Sequence, residues 1–338
     1  MKNLKILFIQ NGKKRMRMPA EGSFIDELKK LGELTIIKDD SKLTKEQRLN
    51  LIRNSKILLT MWNSAPVPVE IADNPGELEY ICNITGGMPW IPIEIIESEI
   101  VVTNWGNVPA NRVAEGAISL LLAVMKDLPA KINNVRNGNW QLNEKNLIGG
   151  TLESLRLGIF GFGAIGHRFT EMVKVFKPEI YVYDPYVDDL PAYCKRVNSL
   201  EELFKNSEAV AIHAGLTDKT RGIITKDLLK MLPENGILIN TARGKIVDED
   251  ALLKELETGR IRAGIDVYNS DIPLPDNHPA RKWENVIFSC HSISKGSWPE
   301  RSDRLLKREK ICLKNIKNFI EGKSLSFIMT KDRYLRST

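Results

Sequence analysis

The chain has 338 residues, of which 42% are apolar and 27% charged, and it carries a net charge of +6. That length exceeds what one ordinary core fills and suits two domains. The composition is that of a globular protein, and no apolar run reaches the roughly 18 residues a membrane-spanning helix needs.

From the N-terminus, strand-like runs alternate with helical patterns, which predicts parallel βαβ architecture. Lys5–Gln10 reads as a strand and follows the first residues directly, with no signal-peptide pattern. Ser23–Leu31 reads as a helix, Glu33–Lys38 as a strand, and Thr44 with Gln47 as the capping box of a second helix. Lys56–Met61, Tyr80–Ile84 and Glu99–Thr103 add three strands. A long apolar helix is expected from Ala110 to Asp127, followed by a polar stretch from Asn133 to Asn146. Six more strands are expected at Leu157–Phe160, Ile180–Tyr183, Ala209–His213, Gly236–Asn240, Ala263–Val267 and Val286–Ser289. Six is the count of a full dinucleotide-binding domain. The segment from Pro299 to about Glu321 reads as one long helix.

Gly161-Phe162-Gly163-Ala164-Ile165-Gly166 stands between the Leu157–Phe160 strand and a helix expected to run to about Phe176. Gly161 makes the tight turn, Gly163 lets the backbone approach a pyrophosphate, and Gly166 lets helix and strand pack closely. Ala164 and Ile165 open the helix whose N-terminus favours phosphate. Asp184 ends the next strand, 18 residues past Gly166, where an acid receives the adenosine ribose hydroxyls. Its carboxylate would repel the extra phosphate of NADP, and Pro185–Asp189 holds no Lys or Arg, so NAD is the expected cofactor.

Three later segments place polar residues at strand ends, where ligands bind in open α/β sheets. They are Asn240-Thr241-Ala242-Arg243-Gly244, Asp266 with Asp271 beyond it, and Cys290-His291-Ser292. An arginine, a carboxylate and a histidine together can bind an anionic substrate and move a proton.

With Val113-Ala114-Glu115, Leu216–Gly222, Val247-Asp248, Gly264–Val267 and Asn285–His291, these segments resemble the D-isomer-specific 2-hydroxyacid dehydrogenases from about Glu77 to His291. The resemblance implies an oxidoreductase that interconverts a D-2-hydroxy acid and a 2-oxo acid. In that role Arg243 binds the substrate carboxylate and His291 is the general acid/base. Asp266 meets the nicotinamide end, and Thr241 and Ala242 line the cofactor. It also implies a Rossmann-type cofactor domain, 108–299, inserted into a flavodoxin-like substrate domain formed by 1–107 and 300–338. A homodimer supported by Ala110–Asp127 and the Asn133–Asn146 arm is expected as well.

The chain departs from the family in several places. The family's Glu partner of the histidine is expected at Asp271, with Ile272 intervening before Pro273. The substrate loops are expected at Trp62-Asn63, where the family often has Arg-Ser, and at Thr85-Gly86-Gly87. The lost arginine argues against a phosphorylated substrate. Ser292-Ile293-Ser294 replaces Ile-Ala-Gly. These changes keep open a second reading, an NAD(H)-responsive binding protein on the same fold. His213 and His278 are expected to be structural or on the cofactor side.

Cys82, Cys194, Cys290 and Cys312 form no CxxC or metal-ligand spacing, so reduced thiols, a cytoplasmic location and no metal are expected. From Glu300 onward eleven Lys/Arg face five Asp/Glu. With no nucleic-acid motif beside them, they read as a solvated helix face rather than a nucleic-acid surface.

Overall fold

The computed structural model describes residues 4–10, 22–62, 64–140, 149–268, 274–295 and 305–336. It forms two compact units, Met1–Val108 with Ser297–Thr338, and Pro109–Gly296.

In the first unit five strands, β1 (Lys5–Ile9), β2 (Glu33–Ile37), β3 (Ile57–Thr60), β4 (Tyr80–Asn83) and β5 (Val101–Thr103), form one sheet. Its order is β2-β1-β3-β4-β5, the flavodoxin-like winding, and every pairing is parallel. Both faces are covered, so nearly every inner strand residue is apolar. Ile6, Phe8, Ile57, Leu59, Tyr80 and Cys82 point to the face packed by helices Ser23–Leu31 and Lys307–Ile320. Leu7, Ile9, Leu58 and Ile81 point to the other. Thr44 and Gln47 form the expected capping box. The Cys82 and Cys312 thiols, 230 residues apart in sequence, meet at 3.3 Å in this core.

The second unit has seven strands: β6 (Arg156–Phe160), β7 (Glu179–Tyr183), β8 (Cys194–Arg196), β9 (Ala209–Ile212), β10 (Ile237–Asn240), β11 (Arg262–Ile265) and β12 (Val286–Phe288). The parallel order β12-β11-β10-β9-β6-β7-β8 is the Rossmann winding extended by one strand. The six strands expected from the sequence are present. The seventh, β8, carries Cys194-Lys195-Arg196 at an exposed edge, where three residues without apolar alternation leave no strand signal.

The apolar helix runs from Ala110 to Met125 and packs on this sheet through Ala117, Leu120, Leu121 and Val124. It ends close to the expected Asp127, but the first residues of the expected polar stretch, Asn133 to Arg136, are helical rather than an extended arm. Asp127 adopts φ 54°, and a second helix, Leu128–Arg136, follows. The corner is pinned by Arg262 of β11, whose Nη1 lies 2.8 Å from the Asp127 carboxylate, with both side chains buried. Removing one partner of such a pair strands the other charge, at roughly 3–5 kcal/mol. Residues 141–146 of the expected arm lie outside the described residues, as does the start of the expected Pro299–Glu321 helix, described as Lys307–Ile320. Among the described residues no helix is long and apolar enough to cross a membrane.

Candidate active site

The glycine turn follows β6. Gly161 takes φ 92°, and a Cβ there would lie 2.5 Å from the Ala214 nitrogen. A Cβ on Gly166 would lie 2.2 Å from the Gly161 carbonyl oxygen, so this glycine is what allows helix Ala164–Val173 to sit against the turn. Gly163, by contrast, faces open space. No side chain caps the helix, and the N–H groups at Ala164, Ile165 and Gly166 lack partners within the helix. An open approach over Gly163 onto an uncapped helix N-terminus fits a pyrophosphate.

Asp184 follows β7 and braces the same turn. Its Oδ2 accepts from the Phe162 N–H at 2.6 Å and its Oδ1 from the Tyr186 N–H at 2.8 Å. The Arg196 guanidinium, arriving from β8, donates to the carbonyls of Asp184, Val187 and Asp188. The Pro185–Asp189 window contains no such cation, and only the sheet brings this one in. Thr241 is buried and its Oγ1 has no partner among the described residues, an orphaned hydroxyl that a cofactor fits. Neighbouring Ala242 is held by Asn240, whose Oδ1 accepts its N–H at 3.0 Å and whose Nδ2 donates to the Arg243 carbonyl. Asn240 is a positioning residue that the motif alone does not mark.

Arg243, Asp266 and His291 follow β10, β11 and β12, three adjacent strands in register at Asn240, Ile265 and Phe288. Arg243 is open to solvent, and Nη1 donates to the Ala242 carbonyl at 2.8 Å. Partial desolvation holds its pKa below the usual arginine value. Asp266 is buried. Its Oδ1 accepts from Ser289 Oγ at 2.7 Å, from the Ser292 N–H at 2.9 Å and from the Ile293 N–H at 3.0 Å. Its carbonyl accepts from the His291 N–H at 2.5 Å. The expected nicotinamide contact therefore belongs to a carboxylate that already anchors the histidine loop.

That loop needs an anchor. Cys290 and His291 both adopt left-handed backbone, φ 54° and 52°, at a cost of roughly 1–2 kcal/mol each. Desolvation lowers the pKa of His291. The Asp266 charge opposes this, and Lys295 and Arg243 reinforce it. Asp271, the expected acidic partner, lies outside the described residues.

Two further histidines have evident packing roles. His278 caps a short 3₁₀ turn and packs edge-on against Trp283. His213 follows β9 and packs on Phe169 of the glycine-turn helix, with both ring nitrogens sealed from solvent and without a partner among the described residues. Burial pushes its pKa down to about 3.

In the first unit, Thr85-Gly86-Gly87 follows β4. The buried Asn83 side chain donates to the carbonyls of Thr85 at 3.0 Å and Gly86 at 3.2 Å. Asn104, after β5, donates to the Gly86 carbonyl at 3.2 Å. Trp105 lies over Gly86, where a Cβ would come within 2.7 Å of the indole nitrogen. Trp62, after β3, packs edge-on against Trp105, centroids 4.8 Å apart. Asn63 lies outside the described residues. The structure thus brings Trp62, Thr85 and Gly86 together at the carboxyl end of the first sheet, with the Asn83 and Asn104 amides beneath the loop.

Residues 118–292 match the NAD-binding domain of the D-isomer specific 2-hydroxyacid dehydrogenases. The chain belongs to that family. Its second unit is the family's NAD-binding domain, and the enzyme class is that of nicotinamide-dependent dehydrogenases. The chain is 31% identical to a glyoxylate reductase of Thermofilum pendens over 258 residues, 74% of this chain and 76% of the relative. It is 30% identical to a D-3-phosphoglycerate dehydrogenase of Methanocaldococcus jannaschii over 271 residues, which span 79% of this chain but only 51% of that relative. Among solved structures, the TT0316 protein of Thermus thermophilus superposes with a TM-score of 0.73 at 26% identity, covering 96% of this chain and all of that one.

Proposed function

We propose that the protein interconverts a 2-oxo acid and a D-2-hydroxy acid with NAD(H). The observation that carries this reading is the placement of Arg243, Asp266 and His291 at the carboxyl ends of three adjacent strands of the family's NAD-binding domain. When bound, the nicotinamide supplies or takes up hydride at C2. Gly161, Gly163, Ala164, Ile165 and Gly166 receive the pyrophosphate, Asp184 the adenosine ribose, and Thr241 and Ala242 line the cofactor. Arg243 binds the substrate carboxylate and polarises the C2 carbonyl. His291 gives a proton to the C2 oxygen in reduction and takes it back in oxidation. Asp266 holds the histidine loop, and Asp271 is the acidic partner of the imidazole. In the first unit Trp62, Asn63 and Thr85-Gly86-Gly87 bind the acid, with backbone N–H groups cradling its carboxylate. The tryptophan pair, with no arginine at position 62, favours an unphosphorylated acid.

Following NADH oxidation against glyoxylate, hydroxypyruvate, pyruvate, phenylpyruvate and a phosphorylated 2-oxo acid tests this. Saturable turnover of an unphosphorylated acid is expected, faster with NADH than with NADPH because of Asp184. Tight NADH binding without turnover on any acid would favour a nucleotide-responsive binding protein instead.

The same reading includes a cytoplasmic location and a homodimer. Helix Leu128–Arg136 leaves Leu128, Ile132 and Val135 exposed at i, i+4 and i+7 on one face, and Trp140 beyond it is 87% exposed. A stripe of this kind marks an association surface. Sedimentation is expected to give twice the 38.3 kDa chain mass, with Ile132→Glu shifting it to monomer. A monomeric parent protein would remove the dimer from the account.

A further inference from the structure

Arg333 lies on the terminal helix Lys331–Arg336 and is half-buried. Among the described residues it has no carboxylate partner. Its guanidinium donates to the Ile328 carbonyl at 3.0 Å and to Asn104 Oδ1 at 2.7 Å, and it stands 5.8 Å over the Phe327 ring. Burial lowers its pKa from the usual arginine value. These two hydrogen bonds and the ring face stand in for a carboxylate in holding the partly desolvated cation.

The Asn104 amide is 6% exposed and its orientation is settled by its partners. Oδ1 receives N–H groups from Arg333 and from Gly106 at 2.9 Å, and both of these are donors only. Nδ2 must then face the Gly86 carbonyl, 3.2 Å away. Gly86 O is also the acceptor for Asn83 Nδ2. A charge-assisted bond into an amide oxygen strengthens the N–H donors of that amide. A bond into a peptide carbonyl likewise strengthens the N–H of the same peptide. The chain therefore runs from the Arg333 guanidinium through the Asn104 amide to the Gly86–Gly87 peptide, and ends at the Gly87 N–H.

We propose that Arg333 is a positioning residue for substrate binding: acting through Asn104, it orients and polarises the Gly86–Gly87 peptide so that its N–H receives the carboxylate of the 2-oxo acid. This rests on the reading of Thr85-Gly86-Gly87 as the substrate loop. It assigns to the C-terminal segment part of the cationic role that position 62 does not fill. Arg333 need not touch the acid, because its charge reaches the loop through two amides.

Asn104→Asp tests the relay. Aspartate keeps the acceptor for Arg333 and Gly106, and it converts the Arg333 contact into an ion pair, so the terminal helix stays fastened. It removes the donor to Gly86 O. The expected result is a rise of about tenfold in KM for the best-turned-over acid among glyoxylate, hydroxypyruvate and pyruvate, with kcat within about twofold, unchanged NADH affinity and no loss in Tm. Arg333→Met is expected to raise KM in the same way by severalfold. A purely structural role for Arg333 predicts instead that Arg333→Met lowers Tm and leaves KM alone. Gly86→Ala, which disturbs the loop directly against Trp105, separates the two levels of the argument. If it raises KM while Asn104→Asp does not, the relay is wrong and the loop reading stands. If neither variant moves KM, the loop does not bind the acid and both readings fall.

Discussion

Replacing His291 by alanine is expected to lower kcat for reduction of a 2-oxo acid by roughly 10²–10⁴-fold, with NADH affinity within about twofold of the parent. The imidazole is the one described group at these strand ends suited to moving a proton near neutral pH. Arg243 stays protonated even with its lowered pKa, and the Asp266 carboxylate is occupied by three donors of the histidine loop. The pH dependence follows from the sign of the His291 shift. Desolvation, with Lys295 and Arg243 behind it, places the imidazole below the ordinary histidine value against the pull of Asp266. Reduction needs the protonated form, so its kcat/KM is expected to rise as pH falls toward a pKa below about 6.5. Oxidation needs the neutral form and follows the opposite limb. Asp271→Asn removes the proposed partner and should move both limbs to lower pH. Limbs that stay in place would take Asp271 out of the site. Retention of full turnover by His291→Ala would end the acid/base assignment.

The second large effect concerns acid stability. His213 is kept neutral by burial, with its pKa at about 3 and both ring nitrogens without partners among the described residues. Below about pH 6.5 the unfolded chain takes up a proton at this histidine and the native protein does not. Stability is unaffected by His213 above that pH. It declines as pH falls through the window from about 6.5 to 3, with a limiting slope of about 1.4 kcal/mol per pH unit and a total of up to about 5 kcal/mol. Urea unfolding of the parent and of His213→Met at pH 7, 5.5 and 4 reads this as a difference between two curves. Carboxylate titration is common to both proteins and cancels. The methionine variant is expected to lose less stability on acidification, and parallel curves would show that His213 does not titrate differently in the two states. His213 sits where the end of β9 meets the glycine turn.

The features legible in the sequence are those fixed by local covalent chemistry. Gly161 needs positive φ and Gly166 needs the space a Cβ would fill, so glycine at both positions announces the turn before any tertiary contact is known. The apolar strands Ile57–Thr60 and Ala209–Ile212 are equally plain, because both faces of each sheet are covered and every position becomes apolar. What stayed hidden depends on partners far away in the chain. β8 is a strand only because β7 lies beside it. Arg196 reaches the Asp184 loop from that strand, outside any window drawn around Asp184. Asn83 and Asn240 stand at strand ends and Asn104 just beyond one, and nothing local tells which carbonyls their amides hold until the fold brings those carbonyls into place. The helix end at Asp127 is legible, but the arginine that pins the corner is 135 residues away and has no local signal.

The handedness of the product tests the central claim most directly. With NADH as reductant and pyruvate or hydroxypyruvate as acceptor, the product can be resolved by chiral chromatography. Hydride delivered to one face of C2, with Arg243 holding the carboxylate and His291 the oxygen, is expected to yield the D-2-hydroxy acid alone. A racemic or L product would contradict that arrangement.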